Sequence, residues 1–247
     1  LCLLHKPGQI RHTVYQFFRR LYSPGRLHFD GFLLYCPKIC SRPSPAAGGQ
    51  TEGRNNVNHS FFAYIFRMRY IARWALMRNT RTENVEEHSY EVAVLAHALA
   101  VIGRDVFHKE LDPDKTAAVA LFHDAPEIIT GDMPTPIKYF NPELKSAYSR
   151  VEAVAQDKLL SMLPPELVAA YEPLVREADP EVRRYVKAAD KLAAWLKCQE
   201  ELKAGNAEFK RAAGETLTAL KAMEMEEVDW FMDQLGGAFQ LTLDDLG

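Results

Sequence analysis

Between residues 60 and 236 no stretch of this chain alternates apolar and polar residues in the two-residue period of a half-buried strand. Apolar residues recur instead at spacings of three and four. Residues 61–72 carry Phe61, Phe62, Ile65 and Phe66 in this way, with Tyr70 and Ile71 less regular. Thr82 or Asn84 can cap the next helix, with Glu83, Glu86 and Glu87 as its first-turn acids. Counting on from His88, Val92, Leu95, Leu99 and Ile102 form one face, and Gly103 ends it. Asp112-Pro113-Asp114 is a strong start signal for a third helix. Further helical stretches cover 142–163, 166–178, 180–204 and 206–235, the last interrupted by Gly214 and stopped by Gly236-Gly237. The pattern predicts an all-α domain of about six helices with no significant sheet.

The third helix runs into the most unusual stretch. Residues 119–138 read VALFHDAPEIITGDMPTPIK, which puts His123 beside Asp124, Glu127 one turn on and Asp132 just beyond. On a helix, Glu127 lies four residues after His123 and three after Asp124, so all three can look toward one point. Pro126 removes an N–H and kinks or ends the helix nearby. An imidazole and a carboxylate in an apolar run need hydrogen-bond partners or a metal.

Two more residues share that need. His88 lies on the apolar face of its helix, whereas His97, nine residues on, faces elsewhere. Asp190 borders or joins the apolar face of 180–204, formed by Val182, Val186, Ala189, Ala193 and Leu196. A buried Asp requires a partner: a cation, or a salt bridge with Lys187 or Lys191. Two imidazoles and two carboxylates suit a divalent transition metal such as Mn, Co, Fe or Zn. Arg69, Arg73, Arg78 and Arg81 lie close to aromatics, where they either bind phosphate beside a base or stay solvated. The Pro- and Gly-rich loop 130–142 carries Asp132, Thr135 and Lys138 and is placed to shape a pocket.

The order H…HD…D over an all-α domain resembles the HD-domain metal-dependent phosphohydrolases. Residues 73–89 (RWALMRNTRTENVEEHS), 122–141 (FHDAPEIITGDMPTPIKYFN) and 187–206 (KAADKLAAWLKCQEELKAGN) narrow the match. They are similar to the bacterial 5′-deoxynucleotidases of the YfbR type, from about His59 to the C-terminus. The resemblance implies an HD-domain helical bundle, a homodimer and hydrolysis of deoxyribonucleoside 5′-monophosphates. It implies one divalent metal cation per subunit, with cobalt the favoured activator and manganese or others as alternatives. The metal ligands would be His88, His123, Asp124 and Asp190, with Glu127 as the general acid/base. Arg73 would orient the phosphate, and Trp74 would crowd the position of a 2′-hydroxyl. Asp132, Met133, Pro134 and Thr135 would line the nucleotide pocket, next to the ligands His88, Asp124 and Asp190. Other readings keep the fold: a hydrolase of dNTPs, cyclic or hyperphosphorylated nucleotides, or a non-catalytic nucleotide sensor. The first group would need more Lys/Arg at the site; a sensor would not need Glu127.

Composition divides the chain. Residues 1–56 hold 8 Lys/Arg and 2 Asp/Glu, a balance of +6, and the remainder 22 and 31, a balance of −9. An acidic body argues against coating a nucleic acid polymer. Residues 1–56 show no sustained period, and 42–54 reads as a linker. They are expected to be a poorly structured extension, translated upstream sequence or a remnant of cloning. Val57 then starts a phosphohydrolase domain over 57–247, if its codon is a GTG initiator. Cys36 and Cys40 would make half a metal site with no second pair to complete it. The body keeps only Cys198, so no disulfide framework supports it, and a cytoplasmic setting fits. No run is long enough to span a membrane.

Overall fold

Side-chain caps set where four of the described α-helices start. The computed structural model describes residues 59–138 and 140–247. A short α1 (Phe61–Ile65) leads through a 3-10 turn at Met68–Tyr70 into extended backbone. Asn84, not Thr82, caps α2 (Val85–Asp105): it accepts from the Glu87 N–H while the Glu87 carboxylate accepts from the Asn84 N–H. Asp112 accepts from the Lys115 N–H ahead of Pro113 and starts α3 (Pro113–Ala120). Two single turns follow, α4 (Glu127–Thr130) and α5 (Thr135–Lys138). Asn141 caps α6 (Pro142–Leu160), and Pro165 opens α7 (Pro165–Val175). Asp179 caps α8 (Pro180–Lys203), which is followed by α9 (Lys210–Lys221) and α10 (Glu226–Gln234).

The architecture is all-α, with ten α-helices among the described residues rather than about six, three of them no longer than five residues. The main core joins α2, α3 and α8 through Val92, Leu95, Leu99, Val119, Val186 and Leu192. Met225 and the α10 residues Val228 and Phe231 close one side of it. A second cluster packs Phe61, Leu159, Leu163 and Val175 against Ala125, with Phe122 and Ile128 at its edge. The segment 122–128 therefore packs on the second cluster directly after Val119 and Ala120, which belong to the main core. No described helix is long and apolar enough to cross a membrane.

Three expectations are corrected. Residues 61–72 do not form one helix. The Arg73 N–H bonds the Glu83 carbonyl at 2.9 Å and the Val85 N–H bonds the Ile71 carbonyl at 3.0 Å, so 71–73 pairs with 83–85 instead. This pairing amounts to one isolated bridge, Ala72 with Asn84. Residues 206–235 are broken at 222–225, not at Gly214. Gly214 lies inside α9, and a Cβ there would meet nothing within 4 Å. The break instead puts Glu224 in left-handed backbone (φ 49°) and sends Met225 into the core. Third, the loop 130–142 contains the α5 turn. The expectations for residues 1–56 and Val57 lie outside the described residues.

Candidate metal centre and nucleotide site

His88 occupies the first turn of α2, where the Asn84 cap fixes its backbone, and its ring is fully buried. Its Nε2 lies 3.0 Å from Asp190 Oδ1 on α8 and 3.7 Å from Asp124 Oδ2. Its Nδ1 lies 3.3 Å from Glu83 Oε1.

His123 and Asp124 follow α3, but the chain does not continue as an α-helix. The N–H groups of Phe122, His123, Ala125, Glu127 and Ile128 reach back three residues rather than four. Residues three apart eclipse in such turns, so Asp124 and Glu127 share a side. Pro126, which has no N–H to give, sits inside this tightened stretch. His123 Nδ1 is 2.7 Å from the Ala120 carbonyl. A carbonyl only accepts, so Nδ1 carries the proton and Nε2 turns inward. That Nε2 is buried, lacks a hydrogen-bond partner and lies 3.2 Å from Asp124 Oδ2.

Helix α8 supplies Asp190 from its middle, held by Val186, Ala189 and Ala193 in the core. Its ion-pair partner is His88, not Lys187 or Lys191. Ligand atoms of His88, His123 and Asp190 all lie within 4.8 Å of one another. Asp124 touches both imidazoles and also takes Arg73 Nη1 at 3.1 Å.

The electrostatics are those of a site built around positive charge. Burial opposes ionisation of Asp124, but His123 and Arg73 outweigh it and hold the carboxyl far below the usual range. Burial also disfavours the His123 imidazolium, yet Asp124 and Asp190 lift its pKa to about 9. Glu127, 8% exposed, is pushed up to about 9 by burial and by the charges of Asp124 and Asp132. One Glu127 oxygen is buried without a partner. An unpartnered inward Nε2, a second imidazole with Nε2 facing the same carboxylates, and two Asp side chains fit a divalent transition metal.

Of the four arginines only Arg73 joins this cluster. Arg69 pairs with Glu86 at 3.1 Å, and Arg81 lies 3.5 Å from Glu200 in the open. Arg78 is exposed. His97, as expected, faces elsewhere and lies 3.5 Å from Asp114. Trp74, next to Arg73, stands in left-handed backbone (φ 59°), a strained conformation for so large a residue. Its indole Nε1–H donates to Glu83 Oε2 at 2.7 Å and its ring lies 5.3 Å from that of Phe209. Gly131, with φ 73°, ends α4 and turns the chain into Asp132, Met133 and Pro134, all half-buried, and Thr135, which is exposed. Asp132 lies within electrostatic reach of Arg73, Asp124 and Glu127, and burial raises its pKa.

Glu83 was not singled out from the sequence, where it reads as one more first-turn acid. Since Asn84 is the cap, Glu83 lies outside the helix. An acid just upstream of a cap and five residues before an inward His is the signal that marks it.

A family model described as 5′-deoxynucleotidase YfbR-like matches residues 60–239. The chain belongs to this YfbR-like family. A 5′-deoxynucleotidase of Pectobacterium atrosepticum is 48% identical over 193 residues, 77% of this chain and 96% of that protein. One of Vibrio cholerae is 46% identical over 188 residues, 75% of this chain and 97% of that protein. Among solved structures, an HD-domain phosphohydrolase from Listeria innocua superposes with a TM-score of 0.64 at 26% identity, over 73% of this chain and 88% of that one. The HD phosphohydrolase of cyanophage S-2L, described as bound to dA and one catalytic Zn2+ ion, gives a TM-score of 0.54 at 27% identity, over 73% and 96%. The YfbR-like region thus coincides with the helical domain that carries all four inward-facing His and Asp residues.

Proposed function

We propose that this chain hydrolyses deoxyribonucleoside 5′-monophosphates to deoxynucleoside and phosphate, with a divalent metal held by His88, His123, Asp124 and Asp190. The observation that carries the reading is the convergence of those four side chains with Arg73 and a buried Glu127. The names of the relatives support the substrate, and the phage enzyme's dA and Zn2+ support both a deoxynucleoside and a metal. The family resemblance favours cobalt as the activating ion, and a homodimer in the cytoplasm.

A bound divalent metal supplies a Lewis acid and lowers the pKa of water. The remaining work falls to the chain. Arg73 is already charged and aimed at the cluster, so its guanidinium can fork onto non-bridging phosphate oxygens. Glu127, buried with one oxygen unpartnered and on the same side of the turn as Asp124, is placed to accept the proton of the attacking water. Trp74 is locked between Glu83 and Phe209 and forms a rigid wall against a 2′-hydroxyl. Apolar walls reject an added hydroxyl by about a hundredfold, so ribonucleotides should be turned over weakly.

The test is phosphate release from dAMP, AMP and dATP by metal-stripped protein resupplied with Co2+, Mn2+ or Mg2+, beside Glu127→Ala. Metal-dependent release from dAMP, lost in the variant, is expected. Release from dATP but not dAMP would move the substrate to the triphosphates. Equal kcat/KM for dAMP and AMP would remove the role given to Trp74.

A further inference from the structure

Glu83 joins three parts of the site through one buried carboxylate, 8% exposed. Oε2 accepts from the Trp74 indole N–H at 2.7 Å. Oε1 faces Arg73 Nε and His88 Nδ1, each at 3.3 Å. Both of those nitrogens are buried and make no aligned hydrogen bond, so Oε1 is the acceptor they face. Burial opposes the Glu83 charge, but His88, Arg73 and Trp74 outweigh it, and the group stays a carboxylate. The backbone reinforces the arrangement, since the Glu83 carbonyl accepts the Arg73 N–H at 2.9 Å.

We infer that Glu83 is a positioning residue that couples metal-ligand orientation to sugar selectivity, one oxygen aligning the His88 ring and the other fixing the Trp74 wall. The selectivity half rests on the deoxynucleotidase reading; the metal half does not. His88 Nε2 hydrogen-bonds Asp190 Oδ1 at 3.0 Å, and a cation bound there would take the Nε2 lone pair and leave the Nδ1 proton to face Glu83 Oε1. With Nε1–H directed at Oε2, the indole cannot swing away from the sugar, despite its strained backbone.

Glu83→Gln tests the coupling because it keeps the shape. An amide accepts at one atom and donates at the other. With its oxygen toward Trp74, its NH2 meets the Arg73 and His88 donors. Flipped, its NH2 meets the indole N–H. Both halves of the coupling cannot survive. Trp74→Phe removes the indole N–H together with one ring of the wall and leaves Oε1 its partners.

The experiment measures Zn2+ affinity by calorimetry, dAMP and AMP kinetics with Co2+, and the His88 ring-nitrogen NMR signals of Zn2+-loaded protein. Glu83→Gln should either bind Zn2+ about 10–100-fold more weakly or lose its preference for dAMP over AMP, according to which way the amide settles. Where Zn2+ affinity falls, the His88 Nδ1–H signal should move with it. Trp74→Phe should lose preference while its Zn2+ affinity stays within about threefold of wild type. Wild-type Zn2+ affinity and wild-type preference for dAMP both retained in Glu83→Gln overturn the inference. If that variant does not fold, His88 bound to Zn2+ through Nδ1 in the wild type overturns it equally, and binding through Nε2 with a protonated Nδ1 supports it. A wild type that binds Zn2+ but leaves dAMP intact sinks the deoxynucleotidase reading, while the affinity and NMR results still judge the hold of Glu83 on His88.

Discussion

Thr80 gives both its backbone N–H (2.9 Å) and its hydroxyl (2.7 Å) to Oε2 of Glu201, a fully buried carboxylate on α8. Glu201 also takes Lys197 Nζ at 2.6 Å and Asn206 Nδ2 at 2.8 Å. Those two side chains in turn donate to the carbonyls of Arg81 and Arg78, each at 2.7 Å. The loop that leaves Arg73 and Trp74 is thus tied to the helix that carries Asp190. Glu201→Ala leaves the Lys197 ammonium buried beside unpaired N–H groups, a loss of about 3–5 kcal/mol for a broken buried pair. Glu201→Gln keeps one acceptor and should cost less, about 1–3 kcal/mol. Urea denaturation monitored by circular dichroism measures both. A loss below about 1 kcal/mol in Glu201→Ala, small against that range, would show that the clamp contributes little.

The same carboxylate makes stability depend on acid. Burial would raise the Glu201 pKa, but hydrogen bonds from Lys197, Asn206 and Thr80 outweigh it and hold it well below the ordinary value. The unfolded chain therefore takes up this proton first as pH falls. The contribution is fully present above about 4.3, the unperturbed glutamate value, and is lost as pH drops through the folded-state value. The stability gap between wild type and Glu201→Gln should stay constant from neutral pH down to the unperturbed value and narrow below it. Denaturation curves over that range decide it, and a gap that widened in acid would reverse the sign.

Gly103 has the least room for a side chain of the described glycines. A Cβ there would lie 2.5 Å from Leu111 Cδ1, 3.0 Å from the Tyr185 hydroxyl and 3.1 Å from Glu227 Oε1. Leu111 can rotate away. The other two are held to each other by a 2.6 Å hydrogen bond, and Lys109 Nζ lies 2.6 Å from the same Glu227 oxygen. Gly103→Ala should therefore destabilise by about 1–3 kcal/mol despite the better helix propensity of alanine. Thermal unfolding beside Gly214→Ala, whose Cβ meets open space, provides the control: that variant should gain stability.

What the sequence showed of this molecule follows from what helical periodicity can encode. His88, His123, Asp124 and Asp190 were legible because each interrupts an apolar face, and a polar side chain facing a core needs a partner. The cap at Asp112, and the proline after it, follow local rules and needed no tertiary information. Lys197 and Glu201 were not legible, because a Lys and a Glu four residues apart on a helix look like an ordinary solvated pair. Only the loop folded over them makes them a buried hub. The break at 222–225 has neither Gly nor Pro; Met225 is drawn into the core there, and that attraction depends on tertiary packing. Glu83 was hidden by its neighbours, since Glu86 and Glu87 do sit in the first turn where acids are favoured.

Arg73 and Glu127 should fail in different kinetic terms. Glu127 is buried, makes no ion pair among the described residues and has one oxygen without a partner, so Glu127→Gln removes a proton acceptor without breaking a contact. It should lower kcat for dAMP by about 10²–10⁴-fold, leave KM near wild type and leave metal affinity intact. Arg73 instead bridges Asp124 (3.1 Å) and Glu83 (3.3 Å) with separate nitrogens of one planar group. Lysine has one point charge and cannot reach both with that geometry. Arg73→Lys should therefore raise KM as well as lower kcat, because phosphate in the ground state already uses the fork. Arg73→Ala should be worse than loss of the phosphate contact alone, since Asp124 and Glu83 are then left buried without their shared cation. Steady-state kinetics with dAMP, beside calorimetric metal titration of each variant, separate the two roles. A Glu127→Gln variant with wild-type kcat would remove that residue from the chemistry, and an Arg73→Lys variant with wild-type KM would remove Arg73 from phosphate binding.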